Sequence, residues 1–522
     1  MLSSVGTASF GLTVSGMFRH QARYNAAHIA LESRAGALTF SELDRRSDCV
    51  ANALGTLGIG IRDCIAVLSE NCQEFVEVQV AAAKLGAVVA CQNWRLADAE
   101  LEYCIELVAP KVLFVSERFA GRLTGISCPS LKLCTIISYG DDYEARLRLA
   151  QDMPPTDAAQ SEDPWVILYT SGTTGLPKAA TISQRAIIAR CAIANLDGAA
   201  RPGASYIAWA PMFHMASTDN ILITLLNGGK VILQDGFDPE AIVHTITHQE
   251  VGALSLMPAT IGTVIEAIKK ARRPILPIMC TGAMADLVPP HQIAEITRLL
   301  NAPFRNTFGS TETGLAPASR GMFNIGLAPT NFAKTQSSLC EVRLLDIEGQ
   351  AVPDGEPGEV SVRGPSLFSG YWNNPETNRT LFHAGWYCMG DVMSRNPDGT
   401  LNFVDRVKYL IKSGGENIYP AEIERILLKS SRIADVSVVR QPDDHWGEVP
   451  VAFVVAADPQ LDAEAVMQLC RGRIANYKLP KRVIFIPADE VPRTPLGKIQ
   501  RHLLEERLRS DRAANPMTTS IL

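Results

Sequence analysis

The chain has 522 residues, 47% hydrophobic and 20% charged, a composition that predicts more than one domain and a large buried core. Forty-nine Lys and Arg against 55 Asp and Glu leave a formal net charge of −6, which gives no overall pull toward nucleic acid or an anionic membrane, although a local basic patch for a phosphorylated ligand stays open. Twelve scattered cysteines without a C-x-x-C pair, and no His or Cys cluster at zinc spacing, argue against a disulfide framework or a zinc site and read as buried thiols of a reducing compartment.

The start, MLSSVGTASFGLTVSGMFRHQ, lacks a basic segment followed by an apolar run, and no apolar stretch is long enough to span a bilayer. The end, MTTSIL, carries no lipidation or retention signal, so the expected location is cytoplasmic. Residues 63–68 (DCIAVL) read as a buried strand, 75–85 (FVEVQVAAAKL) as a helix, and 86–90 and 111–115 as further strands. This alternation predicts an α/β fold with largely parallel sheets. No repeat at solenoid or propeller periods is present. At 165–178 (WVILYTSGTTGLPK) a buried strand runs into a loop of small residues ending at Lys178, and Ser183 is placed to cap a helix. Past Ala316 the turn signals become dense (Asp354-Gly355, Pro357-Gly358, Gly364-Pro365, Asp398-Gly399) around short strands such as 359–363, predicting a small β subdomain. From Asp405 the pattern changes again. Helices are expected over 421–429, 463–474 and 498–509, and strands over 434–439, 449–455 and 481–486, a compact α+β module.

The loop carries the strongest chemical signal. Gly172 and Gly175 let backbone N–H groups approach an anion, while Thr170, Ser171, Thr173 and Thr174 add hydroxyls and Lys178 adds a positive charge. Together they suit a polyphosphate. The string is not a Walker A loop, because Pro177 precedes Lys178 and Ala179 follows it, so a P-loop phosphoryl-transfer enzyme fails as a reading.

The string instead resembles the STSGTTG-x-PK loop of the adenylate-forming family: acyl-CoA synthetases, firefly luciferase and peptide-synthetase adenylation domains. Four further segments resemble that family's motifs in the same order. They are 210–214 (APMFH), 306–314 (NTFGSTETG), 385–391 (GWYCMGD) and 492–501 (PRTPLGKIQR), with 405–424 (DRVKYLIKSGGENIYPAEIE) matching its hinge and the loop after it. The resemblance covers nearly the whole chain. It implies a large multi-layer N-terminal αβ domain over 1–404, with its β subdomain at about 320–404, and a small mobile α+β domain over 405–522.

It also implies the roles of individual residues. Gly282, Ala283, Asn306, Thr307, Phe308, Gly309, Ser310 and Thr311 would surround the adenine, and Asp391 and Arg406 the ribose and phosphate. Glu312, a hard oxygen ligand, would hold Mg²⁺ with Thr170. His214 would flank the acyl pocket. Lys408 would be the hinge, and Lys498 would offset the repulsion between the acid's carboxylate and the α-phosphate. Lys412, Gly414 and Gly415 would line the channel for the thiol, with Arg95, Trp446 and Lys481 meeting CoA. Taken singly, a Lys at a helix start or one His among apolar neighbours is ordinary surface or core; the matched setting gives each its role. The implied substrates are ATP and a small carboxylic acid, then CoA. Dimers are frequent in the family, so a homodimer stays open, and no nucleic acid or integral membrane contact is expected.

The segments expected at the acid (212–218, 254–261, 281–285) contain no charged residue, which predicts an apolar or aromatic acid. His214 follows Phe213 where a peptide synthetase needs an acidic partner for an amino group, and the sequence ends soon after Lys498, so free CoA is the expected acceptor. Phe308 stands where Tyr is commoner, Met389 where Thr is usual, Thr281 departs from Gly-Gly-Ala, and 331–340 lacks glycines common there. These departures leave open a protein specialised for thioester formation from acyl-AMP. Luciferase-like oxygenation of the adenylate is a rival reading for which no residue asks. A non-enzymatic scaffold of the same fold is a second rival, and intact Glu312, Asp391, Arg406 and Lys498 argue against it.

Overall fold

The computed structural model describes residues 12–155, 159–171, 176–346, 348–414, 416–493 and 499–514. Lys498, Gly172, Thr173, Thr174 and Gly415 lie outside these residues, as do Gly175 and the side chain of Ser171.

Two large sheets dominate. A six-stranded sheet runs in the order Thr135–Ser138, Val112–Val115, Cys64–Leu68, Val88–Cys91, Pro164–Ser171, Pro177–Ser183, parallel except for the last pair. Its central strand is buried at every position, which is why 63–68 reads as an unbroken apolar run. An eight-stranded sheet contains Tyr206–Ala208, Val251–Ser255, Ile278–Ala283 and Phe304–Asn306 as parallel neighbours. One apolar core fills the space between the sheets, contributed by Val67, Val89 and Leu168 on one side and Leu31, Tyr206 and Val231 on the other. The helices Gln73–Leu85, Gln184–Leu196 and Met215–Leu226 lie in that layer. Two smaller cores cover the outer faces, and the expectation of an α/β fold with largely parallel sheets is met.

Helix Gln184–Leu196 begins as read, with Ser183 Oγ accepting from Ala186 N at 3.3 Å. Lys178, expected at the end of a loop, instead belongs to the strand Pro177–Ser183 and pairs in register with Thr170. Burial of charge is tightly compensated in the middle layer: Lys84 is fully buried, and its Nζ meets Asp44 and Asp48 at 2.6 Å each and Ser47 Oγ at 2.7 Å.

A five-stranded antiparallel sheet follows, built from Glu341–Leu345, Pro357–Arg363, Phe382–His383, Trp386–Arg395 and Leu401–Arg406. The chain leaves it at Arg406 and enters another five-stranded sheet at Ile411. Helices Pro420–Leu427 and Ala463–Cys470 cover one face of this last sheet, and Arg501–Ala514 packs Leu504 and Leu508 on the other. The helix expected from 463 to 474 therefore stops at Cys470, and the described part of the final helix starts at Arg501 rather than Lys498.

Arg501 ties this region to the strand before it. Its guanidinium meets Glu424 at 2.6 Å and Asp405 at 3.4 Å, over the Tyr409 ring. Burial pushes the Glu424 carboxyl up to about 7, against the pull of Arg501.

Replacing Lys84 by Met removes the cation between Asp44 and Asp48, leaving Asp48 only Arg19, at 3.5 Å, as an ion-pair partner among the described residues, and should cost about 3–5 kcal/mol; a thermal midpoint close to the parent's would show that the cluster is not a net stabiliser. For Glu424 the folded protein keeps a proton that the unfolded chain, titrating near 4.5, has lost. Its contribution is therefore fully present below 4.5 and disappears as pH rises through about 7. The thermal midpoint of Glu424→Gln relative to the parent should climb between those limits, and parallel profiles would contradict the assignment.

Candidate functional site

The strand Pro177–Ser183 is an edge of the six-stranded sheet, and the chain around Tyr371 closes it. Thr181 N donates to Gly370 O at 3.0 Å, Ser369 N to Thr181 O at 2.8 Å, and Trp372 N to Ala179 O at 2.8 Å. This seats Tyr371 beside the hairpin. Its hydroxyl donates to Glu312 Oε1 at 2.7 Å, lies 3.5 Å from the Tyr387 hydroxyl, and is hydrogen-bonded to Thr170. Lys178 Nζ sits 5.3 Å from the Tyr371 ring centroid. Burial, then the charge of Glu312, raises the Tyr371 phenol, so it stays a donor. Thr170 and Lys178 of one hairpin thus meet Glu312, far away in the chain, through two tyrosines that sequence reasoning missed. The only signal for them is the presence of aromatic residues inside the turn-rich stretch.

A cavity of about 1380 Å³ is lined by none of these five residues, but Arg406, which does line it, feels the charge of Glu312. One part of its wall carries Gly282, Ala283, Thr307, Phe308, Gly309, Asp391, Arg406 and Lys408. Asp391 and Arg406 are register partners on neighbouring strands, and Arg406 Nε donates to Asp391 Oδ1 at 2.9 Å. The Asp391 carboxylate beside it raises the Arg406 guanidinium further, so the guanidinium stays charged. Phe308 is buried, with its ring 6.0 Å from Phe403. Gly282 is required by space, because a Cβ there would stand 2.6 Å from Arg305 O.

Another part of the wall carries Tyr206, Trp209, His214, Met215, Ile223, Leu254 and Met257. His214 caps helix Met215–Leu226, its Nδ1 accepting from Ala216 N at 3.2 Å, which leaves the proton of a neutral ring on Nε2. The three expected acid segments are uncharged, but they are only part of the wall. Arg190, Asp219 and Arg305 also line it, a correction that follows from helix and strand neighbours far away in sequence. Arg190 is held by Asp219 at 2.9 Å and by the carbonyls of Ser366 and Thr311.

Other predicted residues do not line the cavity. The Asn306 amide accepts from Ala285 N and Lys334 Nζ and donates to Phe332 O, so it braces the wall from behind. Ser310 bonds Thr313, and Thr311 offers its carbonyl to Arg190. Arg95 stacks on Trp94 at 4.9 Å and lies 5.9 Å from Phe213, the neighbour of His214. Lys412, Gly414, Trp446 and Lys481 form a separate group. Gly414 has φ 58°, donates to Trp446 O at 2.8 Å, and would drive a Cβ into the indole at 2.6 Å. Lys481 Nζ is 6.0 Å from that ring, and Lys412 N donates to Glu448. Among the described residues no cluster of three or more metal-ligating His, Cys, Asp or Glu side chains exists, and no helix is long and apolar enough to cross a membrane.

Residues 18–372 match the model of the AMP-binding enzyme family, and 422–498 that of the AMP-binding enzyme C-terminal domain. An indoleacetate–CoA ligase of Aromatoleum aromaticum is 34% identical over 481 residues, 89% of this chain and 92% of the relative. A feruloyl-CoA synthase of an Amycolatopsis species is 32% identical, over 92% of this chain and 96% of its own. The solved o-succinylbenzoate CoA synthetase of Bacillus subtilis, in complex with its acyl-adenylate intermediate, superposes with a TM-score of 0.80 at 26% identity, covering 94% of this chain and 97% of that one. A hairpin joined through Tyr371 to Glu312, a cavity with the Asp391–Arg406 pair in its wall, and these matches along nearly the whole length agree: the chain belongs to the AMP-binding enzyme family, in its acyl-CoA synthetase branch.

Proposed function

We propose that this chain activates an aromatic or otherwise apolar carboxylic acid with ATP and passes the acyl group to CoA. The observation that carries the reading is one cavity with the Asp391–Arg406 pair in one part of its wall and an aromatic, apolar lining with His214 in another. Relatives named for indoleacetate and ferulate support an aryl acid, and the acyl-adenylate held by the solved neighbour supports the route.

In the first step a carboxylate oxygen attacks the α-phosphorus of ATP, the bond to the β-phosphate bridge breaks, and pyrophosphate leaves. Asp391 accepts from the ribose hydroxyls, Phe308 packs on adenine, and Thr170 with Lys178 meets the phosphates. Glu312 and Thr170 would hold Mg²⁺. One carboxylate steadied by Tyr371 plus a hydroxyl is a hard-oxygen donor set that suits an ion shared with phosphates rather than caged by protein. When bound, the ion neutralises phosphate charge. Lys498 supplies a cation between carboxylate and α-phosphate. In the second step the thiol sulfur of CoA attacks the acyl carbon, its proton is lost, and AMP leaves. The C-terminal region, 405–522, turns about Lys408 between the steps, withdrawing Lys498 and presenting Gly414 and Gly415. Trp446 and Lys481 receive the nucleotide end of CoA. Turning one small domain lets one cavity serve two reactions. The reaction partners point to a cytoplasmic enzyme.

Pyrophosphate release across a panel of acids tests the reading; release that depends on an acid, with acyl-CoA formed when CoA is added, is the expected result. Silence with every acid, alongside acyl-CoA from supplied acyl-AMP, would mean only the second half-reaction remains. Lys498→Ala should slow adenylation roughly 10²–10³-fold while leaving thioester formation from acyl-AMP; undiminished adenylation would remove Lys498 from the mechanism. Tyr371→Phe frees Glu312 from its donor, and adenylation kcat/KM should fall about tenfold, the value of one hydrogen bond to a charged group; an unchanged rate would make that bond incidental.

A further inference from the structure

The cavity wall contains two buried arginines in different electrostatic situations. Arg190 is 4% exposed and has its charge matched. Nη1 meets both oxygens of Asp219, Nε meets Ser366 O, and Nη2 meets Thr311 O. Arg305 is 6% exposed, and its Nε donates to Ser319 O. Neither of its Nη groups has a hydrogen-bond partner among the described residues, and no carboxylate among them reaches ion-pair distance. The acid whose field it feels is Asp197, the residue after helix Gln184–Leu196, whose Oδ1 accepts from Ser338 N at 3.1 Å. Burial alone disfavours the Arg305 charge. A buried cation with two unused donor groups is costly unless something else brings an acceptor.

The position of Arg305 says where that acceptor would sit. It is the middle residue of strand Phe304–Asn306, opposite Gly282, whose missing side chain lets the Arg305 backbone lie against it. Its neighbours are Cys280 and Asp197, and the cavity wall nearby includes Ile193, Ala194, Ala199 and Ala200 from the end of the same helix and its exit. The neighbours of Arg406 are Asp391, Tyr409 and Glu312, a set with no member in common. Although it lies opposite Gly282, Arg305 thus faces Cys280 and Asp197 rather than the Asp391–Arg406 pair.

We infer that Arg305 is a specificity residue that binds an oxygen acceptor, a hydroxyl or carboxylate, at the end of the acid remote from its reacting carboxyl. This rests on the ligase reading above. It narrows the substrate to an aryl acid with a distal oxygen, because the donors of Arg305 otherwise stay unpaired while an unsubstituted ring occupies the cavity. Arg305 touches no reacting atom in this role; it acts on which acid is accepted.

The test is pyrophosphate release with two acid series, each with an unsubstituted, a para-hydroxyl and a para-carboxyl member: phenylacetates and cinnamates. In the wild-type enzyme the kcat/KM ratio of an oxygenated member to its parent should be roughly 10–100 in at least one series, the effect of one charge-assisted hydrogen bond in a buried site. Arg305→Met should bring that ratio to within about threefold of one, and Arg305→Lys, which keeps the charge, should retain a preference. A wild-type ratio at or below one in both series overturns the inference while the ligase reading stands, and this arm decides even if Arg305→Met does not fold. A high ratio that survives in Arg305→Met also overturns it. No release with any acid overturns both.

Discussion

The site depends on one edge-strand pairing. A strand at a sheet edge presents unpaired N–H and C=O groups that must find partners where water is excluded. Here the outer edge of Pro177–Ser183 is satisfied by residues 369–372. The pairing fixes more than a sheet edge. It sets the Tyr371 hydroxyl between Thr170 and Glu312, and it brings Lys178 over the same ring. The next strands of that chain segment then carry Asp391 and Arg406 to the cavity. A shift of one residue in this pairing would turn Tyr371 to the opposite face and separate the three groups.

Charge burial shows the same logic at several places. Lys84, Arg190 and Arg501 are each surrounded by carboxylates or carbonyls that match them. Lys334 likewise contacts Asp286 and the Asn306 amide from behind the cavity wall. These clusters cross between elements far apart in sequence, so they specify how layers sit on one another as well as contributing energy. Arg305 stands out against that background because its matching is incomplete.

Much of this is legible in the sequence. The fully buried strand 64–68 and helix 73–85 follow from apolar runs and periodicity, and the helix cap at Ser183 from residue type alone. Thr170, Lys178, Glu312 and the Asp391–Arg406 pair are picked out by motifs, because those residues sit in short contiguous strings. Tyr371 and Tyr387 are not legible. Their role exists only once the hairpin and the later segment are paired, and no local pattern reports a pairing across so long a stretch of chain. The charged part of the cavity wall escapes for the same reason: Arg190 sits one helix away and Arg305 one strand away from the segments that suggest an uncharged lining. Lys178 reads as a loop residue because Gly and Pro dominate its neighbourhood, yet cross-strand pairing with Thr170 extends the strand to Pro177.

Gly414 and Trp446 add a property of another kind. The indole lies where any side chain at 414 would be, is tied through its own carbonyl to the Gly414 N–H, and remains 45% exposed. Indole emission responds to how much water surrounds the ring. Of the six tryptophans, Trp165 and Trp209 are buried in the main cores and Trp386 is also buried, whereas Trp446 alone rides on this loop. The loop thus carries its own intrinsic fluorophore, and what covers it is readable by light without attaching a label.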